Sequence, residues 1–232
     1  MIKTLQSAYI LHIRNYKESS GLLDVITRQD GRVSLLAKGF KSGKKSTKTY
    51  LQPFRKLSLA WAGRGELKTL TVAEEQGLPI VLEESSLMSG LYVNELLSRL
   101  LQPYDPHPEI FDIYENTITT LACTVDVEMA LRYFEKNLLE ALGYGLQLTC
   151  DMDGVAIDPL CDYCYILEAG PYKSERPFSG GVMVAGETLL LLESGQLNGV
   201  RALKESKQLM RYILSSYIGT KPLKTRELFR YY

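Results

Sequence analysis

The chain has 232 residues, of which 45% are hydrophobic and 23% charged, and these fractions exclude a disordered or fibrous protein. A chain of this length can bury ~70% of its unfolded surface, so disulfide staples are not needed for folding. The formal net charge of zero hides a strong segregation. Residues 1–80 carry 14 Lys+Arg against 6 Asp+Glu, residues 81–200 carry 5 against 19, and residues 201–232 carry 8 against 2. A basic block of 80 residues points to a polyanionic partner, and the acidic middle to a separate surface with a separate partner. No apolar stretch approaches the ~20 residues needed to span a bilayer, so no membrane partner is expected. The opening MIKTLQSAYILHIR lacks a signal-peptide core and cleavage site. Four cysteines do not make a secreted framework, and a cytoplasmic protein is the expectation.

The first 80 residues read as strands. Gln6–Tyr16 is rich in β-formers and places Tyr9, Leu11 and Ile13 on one face. Leu22–Thr27 and Val33–Ala37 flank the turn Gln29-Asp30-Gly31, and Leu57–Ala62 and Leu67–Val72 flank Gly63-Arg64-Gly65. Five strands in about 80 residues predict a small antiparallel barrel, because closure removes exposed edges. Between the third and fourth strands, Lys38–Tyr50 is too polar and charged for a core and reads as a long basic loop.

From Ser85 the apolar period becomes helical through Leu101, with Ser85 or Ser86 as the expected cap. Three prolines between Pro103 and Pro108 stop that helix. Ile110–Leu121 and Val127–Leu142 continue the pattern, and Gly143 and Gly145 supply stops. Residues 146–199 read as irregular, with one apolar run, Thr188–Leu192, of undetermined type. Val200–Ile218 is helical again, and Thr225–Phe229 adds a short final turn. The fold class is therefore α+β: a barrel over 1–80 followed by a helix-rich domain over 81–232, with the boundary near Leu78–Leu82.

Catalytic signatures are scarce. His12 points away from Leu11 and Ile13 and belongs to a surface or groove, and His107 sits between prolines with no ligand spacing around it. Gly39–Lys45, GFKSGKK, fails as a phosphate loop. Only three residues separate its glycines, and Lys45 stands where Ser or Thr is required. Cys161 and Cys164 form a C-x-x-C pair with Cys150 upstream, Asp153 as a possible fourth ligand and Cys123 as a distant one. A structural zinc needs four converging ligands, and no Cys or His follows Cys164, so reduced thiols are favoured over zinc. No nucleophile elbow or spaced carboxylate pair stands out, so neither an enzyme nor a small-molecule substrate is expected.

Binding nucleic acid without sequence readout needs cations along the phosphate path and rings on which bases stack. The head offers Lys38, Lys41, Lys44, Lys45 and Lys48 in one loop, with Arg14, Arg64 and Lys68 on strands or hairpins. Phe40, Tyr50, Phe54 and Trp61 interleave with them, although Phe54 and Trp61 read more readily as core. The tail adds Lys221, Lys224 and Arg226. The competing readings are an RNA-binding barrel and a protein-interaction scaffold.

Several strings resemble the bacterial RecO family of recombination mediators. They are LAKGFKSGKK at Leu36–Lys45, LQPF at Leu51–Phe54, GRGELKTL at Gly63–Leu70, GLYVNELLSRL at Gly90–Leu100 and GTKPLKTRELFR at Gly219–Arg230. The opening Ala8–Arg14 and Glu18–Thr27 fit as well, so the resemblance runs in order along nearly the whole chain. It implies an N-terminal OB-fold barrel, a helical C-terminal domain, and binding of single- and double-stranded DNA with annealing of complementary strands. It further implies partnership with RecR, and assistance to RecA in displacing single-stranded-DNA-binding protein (SSB) at gaps. Some members carry a four-cysteine zinc site. Here Cys150–Asp153 resembles its first pair with the second cysteine replaced, and Gly180–Gly186 holds no cysteine where the second pair is expected. The resemblance also implies a receptor for the acidic SSB tail, which needs an apolar pocket rimmed by a cation. Arg132 and Lys136, one helical turn apart, with Leu131, Phe134 and Leu138, are the candidates. Pairing of Arg132 with Glu128 or Glu135 is the ordinary alternative.

Overall fold

A computed structural model describes residues 5–40, 50–174, 176 and 180–228. Strands β1 (Gln6–Tyr16), β2 (Ser20–Thr27), β3 (Gly31–Ala37), β4 (Leu57–Ala62) and β5 (Leu67–Glu75) close into a barrel in the order β1-β2-β3-β5-β4, with β4 pairing back onto β1. Only the β3–β5 pair is parallel. The expected barrel is thus antiparallel except at its closure, where β5, returning from its hairpin with β4, runs beside β3 in the same direction; this is the OB-fold arrangement that the family resemblance implies. Alternation in β2 and β3 turns Leu23, Val25, Val33 and Leu35 inward with no exposure, and Trp61 fills the same core.

Strand β1 departs from simple alternation. Its register with β2 shifts between Ile10 and His12, which leaves Leu11 as an extra residue. Ile13 therefore joins Ala8 and Ile10 against the barrel core, whereas Tyr9 and Leu11 are buried on the opposite face. The expectation that Tyr9, Leu11 and Ile13 share a face fails because a bulge resets the period by one residue. His12 lies exposed opposite Asp24.

Helices α1 (Glu84–Leu100) and α2 (Pro108–Cys123) cover that second face. The Asn94 amide donates to the Leu11 carbonyl at 3.1 Å and accepts from the Tyr114 hydroxyl at 2.9 Å. The Tyr9 ring meets Phe111 at 5.6 Å and Tyr114 at 5.1 Å between centroids, and its hydroxyl donates to Glu115 at 2.8 Å. Burial, then the Glu115 carboxylate, pushes the Tyr9 phenol well above its usual range. Gly90 lets α1 approach closely, since a Cβ there would stand 2.6 Å from Leu82 and 2.9 Å from Phe54. Neither Ser85 nor Ser86 caps α1. The helix begins at Glu84 after Glu83, with no side-chain cap bond.

Cα packing divides the chain into one unit of residues 1–124 with 222–232 and a second of residues 125–221. The division comes later than the change of period near Leu78–Leu82, because α1 and α2 pack with the barrel. The second unit holds α3 (Val127–Ala141), α4 (Gly186–Ser194), α5 (Val200–Ile218) and a sheet of β6 (Asp162–Ile166), β7 (Gly170–Lys173) and β8 (Val182–Ala185) in the order β7-β6-β8. The stretch 146–199 is thus more ordered than its sequence suggests. Its strands are only four or five residues long, and Tyr163, Cys164 and Tyr165 are all buried, so no alternation marks them. Thr188–Leu192 is helical, within α4. A short helix α6 (Lys224–Leu228) belongs to the first unit.

Glu205 of α5 ties the second unit together. It accepts from the Ala185 N–H at 2.9 Å and the Thr188 hydroxyl at 2.6 Å, and pairs with Arg201 at 2.7 Å. Burial works to raise its carboxyl pKa, but the bonds from Thr188, Ala185 and Arg201 prevail and hold it below the usual 4.5. A lowered carboxyl pKa adds stability that is present above the ordinary carboxylate range and is lost as pH falls through the folded value. Glu205→Gln should therefore lower stability at neutral pH and flatten the acid side of the stability–pH profile, read by urea unfolding at several pH values. In the first unit, Asn94→Ala leaves a buried carbonyl and a buried hydroxyl without their partner. It should lower unfolding free energy by about 2 kcal/mol, measured by the urea midpoint at constant m-value.

Candidate nucleic-acid interface

The first unit carries 18 Lys+Arg against 14 Asp+Glu, and the second 9 against 13, so one is net +4 and the other −4. The barrel's cations fall into two classes. Arg28 pairs with Asp112, Lys56 with Glu115, Arg55 with Glu75, and Arg32 with Asp24 at 3.2 Å. Arg32 also donates to the carbonyls of Ser98 and Leu101, so these cations hold the helices and hairpins in place. Arg14, Lys38, Arg64 and Lys68 form no salt bridge among the described residues. These four are cations whose charge is not committed to an ion pair and can go to a phosphate.

Strand register and hydrogen bonding place the four at two ends of the barrel. Arg14 lies opposite Leu22 near the β1–β2 turn, and Lys38 follows Ala37, which pairs with Gly21. Leu67 and Lys68 pair with Ser34 and Leu35 in the middle of β3. The Lys68 ammonium reaches back to the Gly63 carbonyl at 3.4 Å, in the β4–β5 turn that carries Arg64, and Tyr104 ties that turn to the start of β3 by bonding both Glu66 and Arg32. Lys41, Lys44, Lys45 and Lys48 lie outside the described residues. Phe40, the last described residue before them, packs its ring on Gly21 at the Arg14 end.

Trp61 and Phe54 are buried, in keeping with their reading as core, whereas Phe40 and Tyr50 lie half-buried against the barrel core rather than free for stacking. The Tyr50 hydroxyl also donates to the Ala73 carbonyl at 3.0 Å. Exposed rings occur instead at Tyr16 (37%) and Tyr104 (36%), one at each end. Lys17 stands 5.5 Å from the Tyr16 ring centroid and Lys68 stands 5.5 Å from that of Tyr104. Tyr104 is held at φ 60° by its own N–H bond to the Arg32 carbonyl at 2.9 Å and a hydroxyl bond to the Glu66 carbonyl. Tyr16 shares a strand face with Arg14, a spacing visible in the sequence. Tyr104 reaches Lys68 only through the fold, and no local signal marks it.

In the tail, Lys221 and Lys224 are exposed and Arg226 is half-buried. Leu223 and Thr225, buried, anchor the segment in the first unit.

In the second unit, Arg132 is 5% exposed and pairs with Glu135 at 2.7 Å, while Leu131, Phe134 and Leu138 are buried. The open apolar surface expected there is part of the core, because this face of α3 turns inward. Lys136 pairs with the exposed Glu193 at 2.8 Å. The cysteines also do not converge. Cys161 donates to the Asp158 carboxylate at 3.2 Å, and Cys150 accepts from the Gln147 amide at 3.0 Å. Cys164 is fully buried in β6, where a Cβ on Gly181 would stand 2.4 Å from its sulfur. No three His, Cys, Asp or Glu side chains among the described residues form a group able to hold a metal ion. The residues present do not fit the four-cysteine zinc site. His107 bonds Asp105 and Glu109 and joins no such group. Metal analysis of protein purified without chelators should find well under one zinc per chain, and chelation should leave helical circular dichroism unchanged. One zinc per chain, lost together with helical signal, would overturn this and make Cys150, Cys161 and Cys164 the leading ligands.

No helix among the described residues is long and apolar enough to cross a membrane. The model of the family "Recombination protein O N terminal" matches residues 1–76, and that of "Recombination protein O C terminal" matches residues 85–227. The chain is 44% identical over 227 residues to a DNA repair protein RecO of Methylococcus capsulatus, covering 97% of this chain and 93% of that one. It is 41% identical over 228 residues to the protein of that name in Alkalilimnicola ehrlichii, covering 97% and 90%. Against that of Haemophilus influenzae the figures are 39% over 230 residues, 99% and 97%. With a barrel of OB topology, a helical remainder and both family matches in order, the chain belongs to the RecO family.

Proposed function

We propose that this chain is a non-catalytic mediator of DNA repair and recombination. It binds single- and double-stranded DNA, anneals complementary strands, and acts with RecR to help RecA onto SSB-coated gaps in the bacterial cytoplasm, at the nucleoid. The observation that carries the reading is the division of the barrel's cations. Four serve the fold in ion pairs, whereas Arg14, Lys38, Arg64 and Lys68 form no salt bridge among the described residues, with Arg14 on the strand face of the exposed Tyr16 and Lys68 5.5 Å from the ring of the exposed Tyr104. Phosphate contacts of this kind carry no sequence information, which suits a protein that acts at any gap. Annealing brings two polyanions together, and cations at both ends of one barrel offset that repulsion while base edges stay free to test register.

Replacing Lys41, Lys44, Lys45 and Lys48 together with alanine should weaken DNA binding with little loss of stability. Loss of four single-strand phosphate contacts should shrink the log–log salt slope by ~3. An unchanged slope and affinity would move the interface to the other cations of the first unit. Annealing of SSB-coated complementary DNA strands is the direct assay of function. RNA binding without annealing would favour an RNA-processing role, and salt-independent behaviour a protein scaffold.

A further inference from the structure

Glu95 is a carboxylate in the net-positive unit, and Coulomb's law alone says its removal should help a polyanion bind. Its surroundings say otherwise. One oxygen accepts from the Lys224 backbone N–H at 2.9 Å, and the other accepts from the Thr225 N–H at 2.9 Å and the Thr225 hydroxyl at 2.8 Å. Arg99 stands 3.5 Å from the same carboxylate and donates to the Pro222 carbonyl at 3.2 Å. Burial alone would raise the Glu95 pKa, but the bonds from Thr225 and Lys224, aided by Arg99, bring it below its usual value. The negative charge is thus absorbed by the returning tail. In exchange, the chain that leaves the first unit after Thr124 is fixed to α1 when it comes back at Pro222. Lys224 and Arg226 are carried on that fixed segment, with Leu223 and Thr225 buried on either side of Lys224.

We propose that Glu95 is a positioning residue for DNA binding, holding the C-terminal segment so that Lys224 and Arg226 meet the phosphates as ordered cations. This rests on the DNA-binding reading above. Cations on a tethered but loose segment must be ordered at the moment of binding, and that cost is removed when Glu95 orders them beforehand. A mutation that makes the protein less negative then weakens its grip on a polyanion.

The test is a cycle on the full chain with a single-stranded oligonucleotide, comparing the parent, Glu95→Ala, Lys224→Ala/Arg226→Ala and the combined variant. Glu95→Ala should weaken binding roughly 3- to 10-fold and reduce the salt slope by up to ~1.4, the share of two single-strand contacts. The tail pair should show the same loss, and adding Glu95→Ala to it should bring no further loss. Glu95→Gln, which keeps one acceptor oxygen, should fall between parent and Glu95→Ala. Without DNA, Glu95→Ala should speed tryptic cleavage after Lys224 and Arg226. Equal or tighter DNA binding by Glu95→Ala overturns the proposal, as does a loss that persists in full in the tail-pair background. Unchanged cleavage overturns it also, whatever the DNA result. A parent that binds no DNA would instead sink the functional reading, and cleavage alone would then show whether Glu95 orders the tail.

Discussion

The fold of the first unit depends on one carbonyl. The bulge in β1 sets Leu11 outside the regular ladder with β2, on a face that is buried rather than wet. A buried carbonyl without a partner costs free energy on the scale of a lost hydrogen bond. Asn94 supplies the donor from α1, and the same amide then engages Tyr114 of α2. Two helices are thereby registered on the barrel by a single side chain, and Tyr9 fills the space between them. Because the bulge also rotates Ile13 inward, it decides which residues of the strand's second half remain outside, Arg14 and Tyr16 among them.

That registration explains how a basic barrel and an acidic helical pair share one unit. Asp112 and Glu115 of α2 lie where Arg28 and Lys56 can reach them, so the helices neutralise one part of the barrel. The remaining cations are the ones a polyanion can compete for. A bound phosphate displaces only small counterions from an unpaired lysine, whereas taking Arg32 would expose Asp24 and the carbonyls of Ser98 and Leu101. Separating structural from available cations would let such a surface take up a polyanion without loosening the fold.

Carboxylates close the turns of the cysteine-bearing segment of the second unit. Asp151 accepts from the Asp153 and Val155 N–H groups at 3.0 and 2.9 Å, and Asp158 accepts from the Leu160 N–H at 2.9 Å. Short carboxylates closing turns on their own backbone are familiar stabilisers of tight loops.

Local pattern suffices for the barrel, its turns and the long helices, because each is marked by a period or a breaker within a few residues. Gly31 and Gly63 sit in turns at positive φ, and Pro103–Pro108 ends α1. Charge blocks, too, are a property of the sequence, and they mark the head as basic without saying which of its cations are spent in ion pairs. What the sequence could not convey is which neighbours each side chain meets. Arg28 and Lys56 look as available as Arg64 until α2 is in place, and the Arg132–Glu135 pair, which local spacing allows, is shown to be buried only by the packing of α3. The small β6–β8 sheet escapes notice because strands buried on both sides show no alternation. The Glu95 contact joins residues 129 and 130 positions apart. Partnerships of that span depend on chain topology, which residue types at local spacing do not encode.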